Sequence, residues 1–309
     1  LTQSNLFTTC VAAAAALALG ACGGAPKPAP KPKIVKPTPK PKPLPKTYEI
    51  RLFRPVKVGF SYELAVMGSR VTTVTVKGKP RKEAWEYSYS ATVYVKAVSE
   101  RGKPTAEQHE VSSFILTKNG KPTKMPPDPI IVATIKNGKK QFKINGRRVK
   151  QGLSQVLRAI IDLDKGSPSA DELYGTPKQQ KLGESWDVNK EAVMKAFEAP
   201  FKNDSLPLEM KNISGKVTLK EAANKNGVDE LHILVDMKIA NAAPALGRAK
   251  PSAGSVAFSV DGWIAEDPSV VDFGNQTKKL VVHAETKRFV LDYMQQQAAK
   301  YTYPKKKTP

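Results

Sequence analysis

From about residue 47 onward, apolar and polar positions alternate with a period of two, the pattern of a strand with one face on a core and the other in water. Val58, Phe60, Tyr62, Leu64 and Val66 alternate with Lys57, Gly59, Ser61, Glu63 and Ala65. Trp85, Tyr87, Tyr89, Ala91, Val93 and Val95 alternate with Glu86, Ser88, Ser90, Thr92, Tyr94 and Lys96. Leu231, Ile233, Val235, Met237 and Ile239 face away from His232, Asp236 and Lys238. Further strands are expected over 47–53, 70–77, 106–117, 130–136, 139–145, 214–222, 255–260, 277–285 and 287–294. Asn119-Gly120, Asn137-Gly138 and Asp261-Gly262 lie between apolar runs and predict type I′ hairpin turns.

The period changes to that of a helix twice. Over 151–164, Leu153, Val156, Leu157, Ile160 and Ile161 fall on one face. Over 189–199, Asn189 is the expected N-cap, Val193, Met194 and Phe197 form the apolar stripe, and Pro200 ends the helix. The pattern reads as one α+β domain over 47–299, mainly antiparallel β, with a strongly curved or sandwich-like sheet and two helices in the middle of the chain. The alternative organisation is two similar β halves split near 150–190.

The N-terminal segment has a different grammar. Val11 to Ala21 is apolar and uncharged, shorter than the roughly 20 residues of a membrane-spanning helix and suited to a secretory h-region. It ends in Leu19-Gly20-Ala21-Cys22, which resembles the lipobox of bacterial lipoproteins, although the ten residues before the run carry no Lys or Arg. The resemblance implies a signal peptide over 1–21, cleavage before Cys22, and lipid on the Cys22 sulfur. Gly23, where an Asp would retain such a lipoprotein at the inner membrane, implies the outer membrane, facing the periplasm or the cell surface. Cys10 would be discarded with the signal peptide. With only two cysteines in the chain, a disulfide scaffold and a cysteine-rich zinc fold are excluded.

Residues 26–46 hold nine Pro, seven Lys and no acid. Pro at nearly every second position removes amide donors and fixes φ, so the stretch from the lipidated Cys22 to residue 46 reads as a tether, a polyproline-II rod reaching roughly 65 Å when extended. The whole chain carries 50 basic and 28 acidic residues, a net +22. The tether contributes seven of these charges, and Lys300, Lys305, Lys306 and Lys307 of a basic C-terminal tail over 300–309 contribute four. Export argues against nucleic acid as the partner. The membrane itself, anionic lipid, peptidoglycan or an envelope protein suits this charge better.

Candidate chemistry is sparse. A hydrophobic content of 40 % is too high for a disordered chain, and no apolar run is long enough for a multi-span membrane protein. There is no G-x-S-x-G, H-E-x-x-H, P-loop or G-x-G-x-x-G, so no catalytic residue and no cofactor beyond the lipid is named. His109, His232 and His283 are the only histidines, far apart in predicted strands, and read as solvent-side residues with no metal-ligand spacing. Asp162, Asp164, Asp171 and Glu172 cluster after the first helix. A carboxylate pair there would suit a glycan hydrolase, but the Gly166-Ser167-Pro168 loop favours an exposed acidic patch.

Lys181 to Val188 (KLGESWDV) is similar to an "xxGxSW" element of uncharacterised β-rich bacterial lipoproteins, and Lys57 to Leu64 (KVGFSYEL) is similar to an earlier "KxGxxYxL" stretch in them. The resemblance implies a β-rich lipoprotein domain and no activity. Gly183 is read as the turn into a strand and Trp186 as a plug on the sheet. The expected function is a non-catalytic binding or assembly role in the envelope. The alternatives are a carrier or sensor of lipid, with Trp85, Tyr87 and Tyr89 lining a half-barrel cavity, and an envelope hydrolase.

Overall fold

The computed structural model describes residues 46–302 apart from 124, 165, 198–204, 226, 245–249 and 271–274. The lipobox Leu19, Gly20, Ala21 and Cys22, nearly all of the tether, Pro200 and Lys305 to Lys307 lie outside these residues. The strands are β1 (Ser61–Val76), β2 (Lys79–Val98), β3 (Pro104–Lys118), β4 (Lys121–Pro122), β5 (Ile130–Lys136), β6 (Lys139–Ile144), β7 (Arg147–Arg148), β8 (Ser185–Asp187), β9 (Ile213–Lys225), β10 (Val228–Ala240), β11 (Ala253–Ala265), β12 (Asn275–Glu285) and β13 (Phe289–Thr302). Three helices, α1 (Gln151–Ile160), α2 (Ala170–Tyr174) and α3 (Lys190–Phe197), fall mid-chain.

All thirteen strands form one antiparallel sheet in the order β7-β6-β5-β3-β2-β1-β13-β12-β11-β10-β9-β8, with β4 against the end of β3. The sheet is not closed. It consists of two meanders, one before and one after the helical section, fused where β1 pairs with β13 from Glu63↔Thr302 to Val76↔Phe289. The two halves considered from the sequence are therefore halves of a single sheet. Hairpin geometry follows from turn chemistry: Lys77-Gly78, Asn119-Gly120, Asn137-Gly138 and Asn145-Gly146 each place two successive residues at positive φ, as type I′ turns require.

Directly paired residues share a face, so the register traces one inner face across the sheet. Tyr89 is opposite Val66, Val66 opposite Ala299, Ala299 opposite Gln276, Gln276 opposite Gly262 and Gly262 opposite Ile233. Two apolar clusters cover this face. The first joins Leu64, Val66, Trp85, Tyr87, Tyr89, Leu116, Ile131 and Phe142 to Val156, Leu157, Ile160 and Ile161 of α1 and its exit. The second joins Val217, Leu219, Ile233, Val235 and Ile239 to Val193 of α3 and to Tyr48 and Ile50.

Several expectations are corrected. The segment 47–53 is not a strand: it keeps one bridge, Tyr48 to Gln180, and then runs over the inner face, its Leu52 amide donating to the Asp171 carboxylate at 2.5 Å. The separate strands expected over 58–66 and 70–77 are one continuous β1. Asp261-Gly262 is not a turn. Both residues sit inside β11 with partners on each side, Leu234 and Thr277 for Asp261, Ile233 and Gln276 for Gly262. A third helix, α2, begins with a capping box in which Ser169 and Glu172 satisfy each other's backbone amides. The first helix ends at Ile160, four residues short of the expected bound, because Ile161 is extended. β13 continues to Thr302, so Lys300 belongs to the sheet. In the KLGESWDV element, Gly183 takes a φ of +83° and Trp186 of β8 pairs with Val217, its Nε1 donating to the Tyr174 carbonyl at 2.7 Å.

Candidate functional site

Between the two clusters lies a cavity of about 500 Å³. Its floor is the inner face of the sheet. Ile233 and Val235 of β10, Phe258, Val260 and Ile264 of β11 and Leu64 of β1 supply an apolar wall. Tyr62, Glu107, His109, Lys140, Gln276, Lys278 and Tyr301 supply a polar one. Lys140 on β6 and Ile233 on β10 are eight strand-to-strand steps apart, about 38 Å in a flat sheet. Both line this one cavity, so the sheet is strongly curved.

Two chain segments cover the opening. The first is 52–56, held by Val56 N–H to the Gly102 carbonyl at 2.8 Å and by Arg54. The Arg54 guanidinium is 4 % exposed; its Nη2 donates to the Ala265 carbonyl at 2.7 Å and its Nη1 to the Arg51 carbonyl. Burial pulls the Arg54 pKa below its usual value, against the opposing pull of Asp171 and Asp267. The second segment, 160–174, crosses from the first cluster to the second. It is tied down by Arg101 to the Ser167 carbonyl at 2.9 Å and by Lys103 to the carbonyls of Ser167 and Pro168, both at 3.2 Å.

Inside, Glu107 and His109 are 2 % and 0 % exposed. Two residues apart on β3, they point to the same face. Glu107 accepts from the Tyr62 hydroxyl at 3.1 Å and lies 3.2 Å from His109 Nε2. A carboxylate in that position accepts from Nε2–H, which leaves Nδ1 as an acceptor, and Nδ1 has no hydrogen-bond partner. His109 is thus not on a wet face: the polar pair buries as a unit because each member satisfies part of the other. His232 and His283 do lie outward, bonded to Asp261 at 2.7 Å and to Asp292 at 2.7 Å.

The exposed acidic patch is there only in part: Asp162 and Glu172 are exposed, while Asp164 and Asp171 are drawn inward. The Asp164 side chain is 4 % exposed and pairs with Arg101 at 3.5 Å, Asp171 accepts from Leu52, and Glu172 is spent in the capping box. Asp162 differs. Its side chain is 92 % exposed and lines the cavity. Lys140, buried, donates to the Ile161 carbonyl at 2.6 Å and to Asp162 at 3.2 Å. Desolvation by the surrounding protein pushes the Asp162 carboxyl up, but the ammonium groups of Lys140, Lys278 and Lys103 outweigh it and hold the group below the ordinary carboxylate range. Tyr301 is pushed up by burial, with Asp162 and Glu107 adding to the effect.

Trp85, Tyr87 and Tyr89 lie in the first cluster at 7 %, 5 % and 0 % exposure. Trp85 packs toward α1, where its ring would meet a Cβ added at Gly152 at 3.5 Å, and Tyr87 crosses over Gly68. None of the three is among the cavity's lining residues; its aromatic groups are Phe53, Phe60, Tyr62, Tyr174, Phe258 and Tyr301, while the Trp263 ring stacks on His232 on the outer face. A second hollow of about 650 Å³, over Lys216, Lys238 and Lys279 on the outer face, is more open to solvent. No group of three or more metal-ligating side chains is assembled among the described residues.

No family model matches the chain, and no curated protein matches it. Among solved structures, an outer membrane channel from Pseudomonas putida F1 aligns over 82 % of this chain and 99 % of its own length, at 5 % identity and a TM-score of 0.21. A likeness that low carries no argument about fold or function.

Proposed function

We propose that this chain is a membrane-anchored envelope lipoprotein that binds an amphiphilic small molecule, an acyl-bearing lipid, in the cavity under its helices, as a carrier or sensor and not as a catalyst. The observation that supports this reading is the cavity itself. Its volume of about 500 Å³ falls within the roughly 300–1,000 Å³ of small-molecule sites. One wall is aliphatic and aromatic and the other carries charge, a division that suits a molecule with a tail and a head. A role resting only on docking to an envelope protein would leave the interior of the curved sheet without a purpose. The tether expected from the Pro/Lys-rich sequence fits a carrier, since at a polyproline-II rise its reach of roughly 65 Å would let the domain stand off an anchoring surface.

The test is native mass spectrometry of the full chain purified without added lipid, beside an Ile233→Trp variant that fills the apolar end. Bound acyl lipid is expected on the parent chain and is expected to be absent from the variant, with circular dichroism confirming that the variant is folded. A parent chain that carries no lipid, and takes up none when lipid is supplied, removes the proposal.

A further inference from the structure

The polar wall carries more positive charge than it consumes. Among the described lining residues the cations are Arg54, Lys103, Lys140 and Lys278, and the acids are Glu107, Asp162 and Asp164. Asp164 is engaged by Arg101, which lies outside the lining, and Glu107 by Tyr62 and His109. Asp162 is left as the single carboxylate facing Lys140, Lys278 and Lys103. Like charges that converge on one cavity repel each other, so this surplus is the feature of the interior that most needs an explanation.

The strand pattern sharpens the point. Lys278 sits on the inner face of β12, paired with Val260 on one side and Gln297 on the other, and is followed on that face by Leu280, Val282 and Ala284. Lys140 starts the inner face of β6, followed by Phe142 and Ile144. Each lysine stands where the two-residue period calls for an apolar side chain. Lys278 has no hydrogen bond or ion pair among the described residues. Arg54 adds no free donor to the cavity: its Nη groups are spent on the carbonyls of Ala265 and Arg51, and its Nε is buried away from the open volume.

We infer that the cavity selects an anionic head group, a carboxylate or phosphate on the amphiphile, and that Asp162 is the protein's own stand-in for it, leaving Lys140 and Lys278 when the ligand's anion arrives. This rests on the reading of the cavity as an amphiphile site and adds the chemistry of the head. The side chain is free to leave, because it projects into open volume from the extended segment after α1 and its hydrogen bond in the cavity is to Lys140 alone. Lys140 keeps its bond to the Ile161 carbonyl when Asp162 swings away, so the backbone of the covering segment need not move.

The experiment titrates the full chain, carrying Cys22→Ser so that no lipid can be attached at position 22, with oleoyl lysophosphatidic acid and with monoolein, which share the chain and glycerol and differ in the phosphate. Calorimetry is expected to give the lysophosphatidic acid at least about a tenfold advantage. Asp162→Asn is expected to widen that ratio several-fold, and Lys278→Gln to bring it toward one. Equal affinities, or a ratio that Asp162→Asn leaves unchanged or narrows, overturn the head-group inference while the cavity reading stands. Failure of both ligands to bind overturns that reading as well. Inorganic phosphate binding as tightly as the lysolipid marks a site for a free anion and also overturns the inference.

Discussion

At His283 both ring nitrogens face carboxylates. Nδ1 is 2.7 Å from Asp292, directly across on β13, and Nε2 is 3.0 Å from Glu285. Only an imidazolium donates through both, so the hydrogen bonds to Asp292 and then Glu285 raise this pKa above its ordinary 6.5. A raised folded-state value means stabilisation that is fully present below the unfolded-state value and is lost as the pH rises through the folded one. The side chain is partly exposed, so solvent screening limits the effect to about 0.5 kcal/mol. Urea denaturation should show His283→Gln less stable than the parent at about pH 5.5 and equal to it at about pH 9; a deficit of the same size at both excludes the ion pairs as its cause. The contrast with His109 shows what single residues reveal. An isolated histidine in a strand pattern says nothing of its face, but Glu107-x-His109 places an acid and an imidazole on one face next to Val111, and that spacing was a usable signal for the buried pair. The partner Tyr62, forty-five residues away, was not legible, since only the β1–β2–β3 register brings it there.

Strands were legible wherever one face meets a core. Ile130–Lys136 has the bounds its alternation predicts, and the long strands β2 and β10 differ from expectation only at their ends. The failures share a cause in tertiary partners. The Asp261-Gly262 turn signal loses to ladder pairing on both sides and to the His232–Asp261 bond at 2.7 Å. The segment 47–53 alternates like a strand but finds no edge to join, and it becomes a cover over the inner face. Arg54 fastens that cover to β11. Arg54→Ala removes its charged hydrogen bonds to the carbonyls of Ala265 and Arg51 and leaves those acceptors buried, a loss on the order of 3 kcal/mol. Limited proteolysis should then cut within 48–56 at protease levels that spare the parent chain. Equal resistance of the two chains would mean that the segment is held by Tyr48 and Ile50 and does not need the guanidinium.

For the molecule as a whole, alternation predicts the sheet but not its curvature. Curvature is a sum of small twists over many strands, set by the register from β6 to β10 and by what α1 and α3 pack beneath it. The cavity was therefore not legible from the sequence, and the aromatic row at Trp85 pointed to a wall that α1 covers. Under the lipoprotein reading, the N-terminal segment decides where this body works: Cys22→Ser should leave a chain that takes up no radiolabelled palmitate and fractionates with the aqueous phase, while the parent labels and stays with membranes. Label on both, or on neither, removes the anchor from the account. The sheet ends at two unpaired margins, the two-residue β7 and the three-residue β8, and never meets itself. A sealed barrel has its bore fixed by strand number and shear. An open sheet has no such fixed bore, so under the carrier reading proposed above small changes of twist at every seam would let it admit guests of different girth through the same doorway.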